Sequence, residues 1–173
     1  GAMMHSTHPI ERDIVLVGGG HAHVDVLKRF GLRPEPGVRL TLVARDVLTP
    51  YSGMIPGLLR GVYDRQSCHI DLGKLARWAG VQLIRAPASG LDLVGQAVLF
   101  ENRPALAYDL LSIDVGSTAP ASDIAGAARY ALPIKPLDRF LARLDEMDRA
   151  LIDGASFVVI GAGAGGVETA LGL

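Results

Sequence analysis

Residues 13–20 have the sequence DIVLVGGG, a short apolar run that ends in three consecutive glycines. A run of this length, rich in β-branched and aliphatic residues, is typical of a buried β-strand. Beyond the glycines, Val24, Leu27 and Phe30 recur at helical spacing, which predicts an α-helix with one apolar face. The stretch therefore predicts a strand, a tight glycine turn and a helix that begins directly after the turn.

A second stretch, about 140 residues further on, repeats this layout. Residues 156–160 read SFVVI, which predicts a buried strand, and GAGAGG follows at residues 161–166. Gly161, Gly163 and Gly166 match the G-x-G-x-x-G spacing in full. We therefore expect an internal duplication of one strand, turn and helix unit.

Glycine turns of this kind suit dinucleotides. A helix N-terminus leaves backbone N–H groups without intrahelical partners and carries about half a positive charge, so it attracts a diphosphate. Glycine lets that diphosphate approach the backbone closely. We predict one dinucleotide for each turn, and the first assignment depends on room for an anion at residues 18–23.

The chain between the turns alternates predicted strands with predicted helices. Asp71 is expected to cap a short helix that ends at Gly80, and Leu137, Phe140 and Leu141 begin one face of a surface helix that ends at residues 153–154. Further strands are predicted at residues 38–43, 81–85, 91–94, 97–100 and 108–115. The pattern predicts an α/β fold: a Rossmann-like three-layer arrangement with a small antiparallel insert, truncated at the start of a second Rossmann unit.

Composition excludes several classes of partner. The 173 residues carry 17 Lys plus Arg against 18 Asp plus Glu, a balance that favours neither nucleic acid nor an anionic membrane. Cys68 is the one cysteine, so no internal disulfide forms; it is either a small buried residue or a reactive thiol. No apolar run reaches the roughly 18 residues of a transmembrane helix. We expect a cytoplasmic protein.

Two positions depart from the usual dinucleotide pattern. His23 stands where the third glycine of the first turn is expected, so either the helix stands slightly away from the strand or His23 points away from it. His21 is either a polar helix start or a hydrogen-bond donor to phosphate or ribose; with no third ligand nearby, we expect no metal site.

The second departure is at the end of the second strand, where an acidic residue usually binds ribose. Residues 42–46 read LVARD, so the acid is displaced to Asp46 or absent, and Arg45 is a candidate for contacting adenine or a phosphate.

Three motifs together carry a resemblance to a known family: VLVGGG at residues 15–20, YDLLSIDVGS at 108–117 and VVIGAGAGGVE at 158–168. They resemble the pyridine nucleotide-disulfide oxidoreductase superfamily, in its NADH dehydrogenase-like branch. The family's middle motif ends in an Ala-Thr-Gly-Ser turn near the flavin phosphates. Asp114 and Val115 replace its first two residues here, and only Gly116 and Ser117 carry over.

A narrower resemblance is to the flavoprotein found ahead of, or fused to, selenide, water dikinase. It rests on GGGHAHV at residues 18–24, TPYSGMIPG at 49–57 and IDL at 70–72. It implies that residues 52–54 lie toward the isoalloxazine ring of FAD, that Ala88 offers backbone contacts to adenine and that residues 161–168 hold NAD(P)H. A plain Pro-Gly loop is the alternative for residues 51–57.

The resemblance implies a set of cofactor-binding residues and no catalytic side chain. For FAD they are Gly18, Gly20, His21, Ala22, Arg45, Ser52, Gly53, Met54, Ala88, Gly116 and Ser117, and for NAD(P)H they are Gly161, Gly163, Gly166 and Glu168. The implied domains are a tag and mobile tail at residues 1–12, the first part of an FAD-binding domain at 13–119, a connector with a surface helix at 120–153, and the beginning of an NAD(P)H-binding domain at 154–173.

The function implied is that of an N-terminal fragment of an FAD-dependent NAD(P)H oxidoreductase, inactive alone, whose parent passes hydride from nicotinamide to flavin and on to an unidentified acceptor. Disulfide-reductase chemistry is excluded for residues 45–61, which contain no cysteine. One alternative is a nucleotide-binding sensor or partner subunit linked to selenium metabolism, with a selenide, water dikinase domain as partner. Another is a quinone-reducing enzyme at a membrane surface.

Overall fold

The computed structural model describes residues 8–64, 67–116, 124–150, 156–161 and 163–172. These residues form two compact units. The first lies within residues 1–49 and 71–115, and the second lies within residues 50–70 and 116–173. The chain therefore leaves the first unit after Thr49 and returns to it at Asp71.

Helices and strands alternate along most of the chain. In chain order they are β1 (Arg12–Val17), α1 (His21–Leu32), β2 (Val38–Ala44), β3 (Leu48–Pro50), α2 (Ile55–Leu59, preceded by a 3₁₀ turn at Ser52–Met54), β4 (His69–Asp71), α3 (Leu72–Ala79), β5 (Gln82–Arg85), β6 (Gly90–Asp92), β7 (Ala97–Leu99), β8 (Leu106–Ala107), β9 (Leu110–Ile113), α4 (Ala127–Tyr130), α5 (Leu137–Ala150) and α6 (Ala164–Gly172). The predicted strand, glycine turn and helix at the start of the chain are confirmed.

Four strands form a parallel sheet in the order β5-β2-β1-β9. β1 lies between two neighbours, with Val17 level with Val43 on β2 and with Ile113 on β9. The predicted strands at residues 13–17, 38–43 and 81–85 are therefore confirmed, apart from a residue at their ends. Because the carboxyl ends of parallel strands meet at one edge, the residues that follow these strands share that edge.

Both faces of the parallel sheet are covered. One face carries a core cluster that also takes in Val98 of β7, so the antiparallel strands pack against it; its buried members are Val15, Val17, Val43, Ile84 and Val98. Side chains alternate across a strand, so Leu16 and Leu42 point to the other face. There α1 and α3 pack against each other with Leu27 and Leu72 fully buried. The predicted three-layer, Rossmann-like fold is confirmed.

The predicted antiparallel insert forms from β6, β7 and β8, in that order. The predicted bounds of one strand of the insert and of one strand of the parallel sheet are wrong. The strand predicted at residues 91–94 ends at Asp92, because the Asp92 carboxylate accepts hydrogen bonds from the N–H groups of Val94 and Gly95 and closes a turn. The strand predicted at residues 108–115 is shorter, because Tyr108 donates to Gln96 of the insert while the next residue already bonds to β1.

Both ends of α3 follow the sequence prediction. The Asp71 carboxylate accepts a hydrogen bond of 2.9 Å from the N–H of Lys74 and so caps the helix start. Gly80 ends the helix with φ at +68°, a left-handed conformation that glycine adopts without strain.

The second unit has its own apolar core, formed by α2 and α5. Its buried members are Ile55, Leu137, Phe140 and Leu141. The predicted surface helix is confirmed as the 14-residue α5, while its predicted end at residues 153–154 lies outside the described residues. Within the part of the chain described here, no helix combines the length and apolar character needed to cross a membrane.

The strand predicted at residues 156–160 is wrong, although the helix predicted after it forms at Ala164–Gly172. Val158 is 87% exposed and Ile160 is 63% exposed. A strand must pair its backbone groups with a neighbour, and the sheets of the described residues include none beside this segment. Among the described residues, this apolar run therefore pairs with no strand and is largely solvent-exposed.

The cap of α3 gives a test of the first unit. Replacing Asp71 with Ala removes the acceptor for the Lys74 N–H, and we expect a loss of about 1 kcal/mol in the free energy of unfolding, measured by urea denaturation. The control is Asp25→Ala on α1, which removes the exposed ion pair with Arg29 and costs less than about 0.5 kcal/mol. Equal losses in the two variants would contradict the assigned cap.

Candidate functional site

The first glycine turn lies at the carboxyl edge of the parallel sheet. Gly18 directly follows β1 with φ at +100°, and its N–H donates to the carbonyl of Val43 on β2 at 2.8 Å. Gly20 is extended, with φ −69° and ψ 176°, and precedes the first residue of α1. The turn therefore places the N-terminus of a 12-residue helix where ligands bind in folds of this type.

Each glycine of this turn is in contact with another part of the chain. A Cβ atom on Gly18 would lie 2.1 Å from the carbonyl oxygen of Asp114, and one on Gly19 would lie 2.5 Å from Cδ1 of Leu72. A Cβ atom on Gly20 would lie 2.2 Å from both carboxylate oxygens of Asp114. Packing therefore requires glycine at Gly18, where the neighbour is backbone, while the neighbours of Gly19 and Gly20 are the ends of side chains that can move.

Asp114, the residue directly after β9, contacts the start of α1. One carboxylate oxygen, Oδ2, accepts hydrogen bonds from the N–H of Ala22 at 3.1 Å and of His23 at 3.4 Å, while the Asp114 carbonyl accepts from the N–H of Gly20 at 3.2 Å. A carboxylate at this position also interacts favourably with the positive end of the helix dipole. Asp114, which replaces the alanine of the family's middle motif, therefore contacts the helix start, a role that the motif alone does not predict.

His23 points inward, against the turn, and is almost completely buried. Its Nδ1 lies 2.7 Å from the Gly18 carbonyl and its Nε2 lies 2.8 Å from Ser112 Oγ on β9. A carbonyl only accepts, so Nδ1 carries the hydrogen; in the neutral ring Nε2 then accepts from the Ser112 hydroxyl. The expectation that His23 points away from the strand is wrong: the imidazole links the turn to β9.

Three other predicted residues of the first unit lie on exposed surface at the same carboxyl edge. His21 is the first residue of α1. Arg45 follows β2, and its Nε donates to Asp46 at 2.9 Å, so the guanidinium and the displaced acid form a local ion pair. Ala88 lies in the loop after β5. Their shared edge is consistent with the predicted site, while the assigned contacts stay predictions.

The remaining flavin-side residues lie in the second unit. Ser52, Gly53 and Met54 form the 3₁₀ turn that precedes α2, and a Cβ atom on Gly53 would lie 3.0 Å from the ring of Tyr51. Gly116 has φ at +85°, with open space around its Cα. Ser117 lies outside the described residues.

The second glycine turn differs from the first. Gly161 has φ at +119°. A Cβ atom on Gly166 would collide with the Gly161 carbonyl oxygen, so only glycine, the third of the motif, allows α6 to pack this closely on the turn. Cβ atoms on Gly163 and Gly165 would meet no atom within 4 Å. Glu168 is exposed on α6. Among the described residues, no atom therefore crowds this turn at Gly163 or Gly165.

An open depression of about 550 Å³ lies elsewhere on the first unit. Residues at the amino ends of β2 and β5, among them Arg39 and Gln82, line it. The Arg39 guanidinium donates hydrogen bonds to the Asp13 carboxylate, and this contact raises the pKa of Arg39. The depression is at the edge opposite the glycine turn, so it is not the dinucleotide site.

Comparison with known proteins finds relatives of this chain in sequence and in fold. No family model matches it. The NADH dehydrogenase-like protein YutJ of Bacillus subtilis is 25% identical over 164 residues, which are 92% of this chain and 44% of that protein. The chain is thus similar in sequence to a protein named as NADH dehydrogenase-like. The chain thus spans less than half the length of this relative.

Solved structures share the fold. The NAD-dependent persulfide reductase from A. fulgidus has a TM-score of 0.74 at 19% identity, covering 92% of this chain and 31% of that chain. The water-forming NADH oxidase from Lactobacillus brevis, bound to NADH, has a TM-score of 0.71 at 22% identity, covering 94% and 37%. The three-layer fold found here is therefore one that such oxidoreductases use.

The glycine turn can be tested by substitution. Gly18→Ala combines a strained φ with a Cβ atom inside van der Waals contact of backbone, and we expect a loss of about 4 kcal/mol or more in unfolding free energy, or no folded protein. Gly80→Ala, also at positive φ but in open space, serves as the control and costs about 1 to 2 kcal/mol. Thermal or urea unfolding measures both, and similar losses would refute the close packing at Gly18.

Proposed function

We propose that this chain is part of an FAD-dependent NAD(P)H oxidoreductase that passes hydride from nicotinamide to flavin and then to a separate acceptor. Support comes from the relative named as NADH dehydrogenase-like and from two structural neighbours named for NAD or NADH. The resemblance in sequence motifs points to the same class of enzyme.

The observation that carries the nicotinamide half of this proposal is the second glycine turn. Gly166 allows α6 to pack tightly onto Gly161, while Gly163 and Gly165 leave open space at the N-terminus of the helix. One crowded glycine together with three open ones, Gly161 among them, is what close approach of a diphosphate requires. We therefore assign NAD(P)H to Gly161, Gly163, Gly166 and Glu168.

For FAD we propose the first turn and the surrounding carboxyl edge. Gly18, Gly20, His21 and Ala22 would hold the diphosphate, with Arg45 and Ala88 toward the adenosine half and residues 52–54 toward the ring. The turn has the required helix start, but the Asp114 carboxylate lies on the amides that a diphosphate would use. FAD therefore fits this edge only when the Asp114 side chain is turned away.

In this class of enzyme the flavin supplies the redox chemistry, and the protein binds, orients and shields it. The proposal accordingly assigns no catalytic side chain to this chain. Residues 13–119 would begin the FAD-binding domain and residues 154–173 would begin the NAD(P)H-binding domain, with residues 120–153 connecting them.

A second candidate function is a nucleotide-binding sensor or partner subunit with little turnover. The Asp114 contact favours it, because a helix start occupied by the chain's own carboxylate binds an anion less readily. The association with selenide, water dikinase belongs to this candidate and stays a prediction from the sequence resemblance.

An absorbance spectrum of the purified full-length protein separates the two candidates. The oxidoreductase is expected to be yellow, with flavin bands that bleach when NADH is added without oxygen. A colourless protein that takes up no added FAD would refute the oxidoreductase. As a control, the 173-residue chain should oxidise no NADH, because residues 156–160 lack a paired strand to support the nicotinamide site.

A further inference from the structure

We propose that the Asp114 side chain competes directly with the cofactor diphosphate for the N-terminus of α1, so that cofactor binding must displace it. This inference rests on the proposed function, because it takes the first glycine turn as the diphosphate site. If the Asp114 side chain competes in this way, it lowers the affinity of the protein for the dinucleotide.

The first support is the set of groups that Asp114 occupies. Its Oδ2 accepts from the N–H groups of Ala22 and His23, at 3.1 and 3.4 Å. Amides in the first turn of a helix lack intrahelical acceptors, and these are the donors that a helix N-terminus offers to an anion. A phosphate oxygen at the same amides would need the position that Oδ2 holds.

The second support is steric and comes from the space beside Gly20. Both carboxylate oxygens lie 2.2 Å from the position that a Cβ atom on Gly20 would take. Because Gly20 has no side chain, the space beside its backbone is available, and the Asp114 carboxylate occupies it. A diphosphate that approached this face would meet a group of its own charge at contact distance, and like charges at such distances repel strongly.

The backbone around Asp114 is fixed, which limits the change to the side chain. Its N–H donates to the Val17 carbonyl at 2.8 Å, and its carbonyl accepts from the Gly20 N–H at 3.2 Å. These bonds hold the residue between β1 and the turn in either state. Rotation of the side chain about χ1 is therefore sufficient to release the helix start.

In the absence of ligand, the same contact stabilises the turn. A carboxylate on the first amides of a helix satisfies donors that otherwise rely on water. Cofactor binding replaces the Asp114 carboxylate with the diphosphate. The affinity of the turn for the diphosphate is therefore lower by the free energy of the Asp114 contact that is lost. Removing the charge of Asp114 should therefore raise affinity for any ligand that carries the diphosphate.

The test is calorimetric titration of ADP into the full-length protein stripped of bound flavin. Asp114→Asn keeps the size of the side chain and removes its charge, and we expect it to bind ADP at least tenfold more tightly than the unmodified protein. Adenosine, which has no phosphates, should bind the two proteins equally.

Asp109→Asn is the matched control. Asp109 precedes β9 at the opposite edge of the sheet, where it accepts from the Asp13 N–H at 2.7 Å, so this variant makes the same change in net charge away from the turn. Its ADP affinity should equal that of the unmodified protein. If Asp114→Asn fails to fold by circular dichroism, Asp114→Ser replaces it, because serine also caps helices without charge.

Each outcome decides between the alternatives. Equal or weaker ADP binding by the Asp114 variant, with clear binding by the unmodified protein, overturns the competition while the proposed function stands. An equal gain in the Asp109 variant shows a general effect of charge and also overturns it. Failure of every variant to bind ADP overturns the proposed function itself.

Discussion

The Asp114 carboxylate accepts hydrogen bonds from the first amides of α1, and this contact joins two segments of the chain that are distant in sequence. Parallel pairing of β1 with β9 brings residues 92 positions apart within hydrogen-bonding distance. The glycines at residues 18–20 permit the approach because a Cβ atom at any of them would collide with a neighbour. The conformation of the glycine turn, the start of the helix and the access of an anion all depend on this arrangement.

His23 belongs to the same arrangement. In the usual motif a glycine at this position lets the helix approach the strand, whereas here a buried imidazole bonds to the Gly18 carbonyl and to the Ser112 hydroxyl. The turn is therefore held by the protein's own polar groups on both sides.

Local sequence patterns were sufficient to predict most of the first unit. Apolar β-branched runs specified β1, β2 and β5, and Asp71 with Gly80 specified both ends of α3, because these features depend on neighbouring residues only. Residues 156–160 have a similar pattern but form no strand, since a strand also needs a partner. The roles of Asp114 and His23 were missed for a related reason: each depends on contacts with residues that only the folded sheet brings together.

The most direct test of this account is a crystal structure of the full-length protein with FAD bound. The account predicts a diphosphate oxygen within hydrogen-bonding distance of the Ala22 and His23 amides, with the Asp114 side chain rotated away from both. A structure in which FAD is bound and the Asp114 carboxylate still lies about 3.1 Å from the Ala22 nitrogen would contradict it.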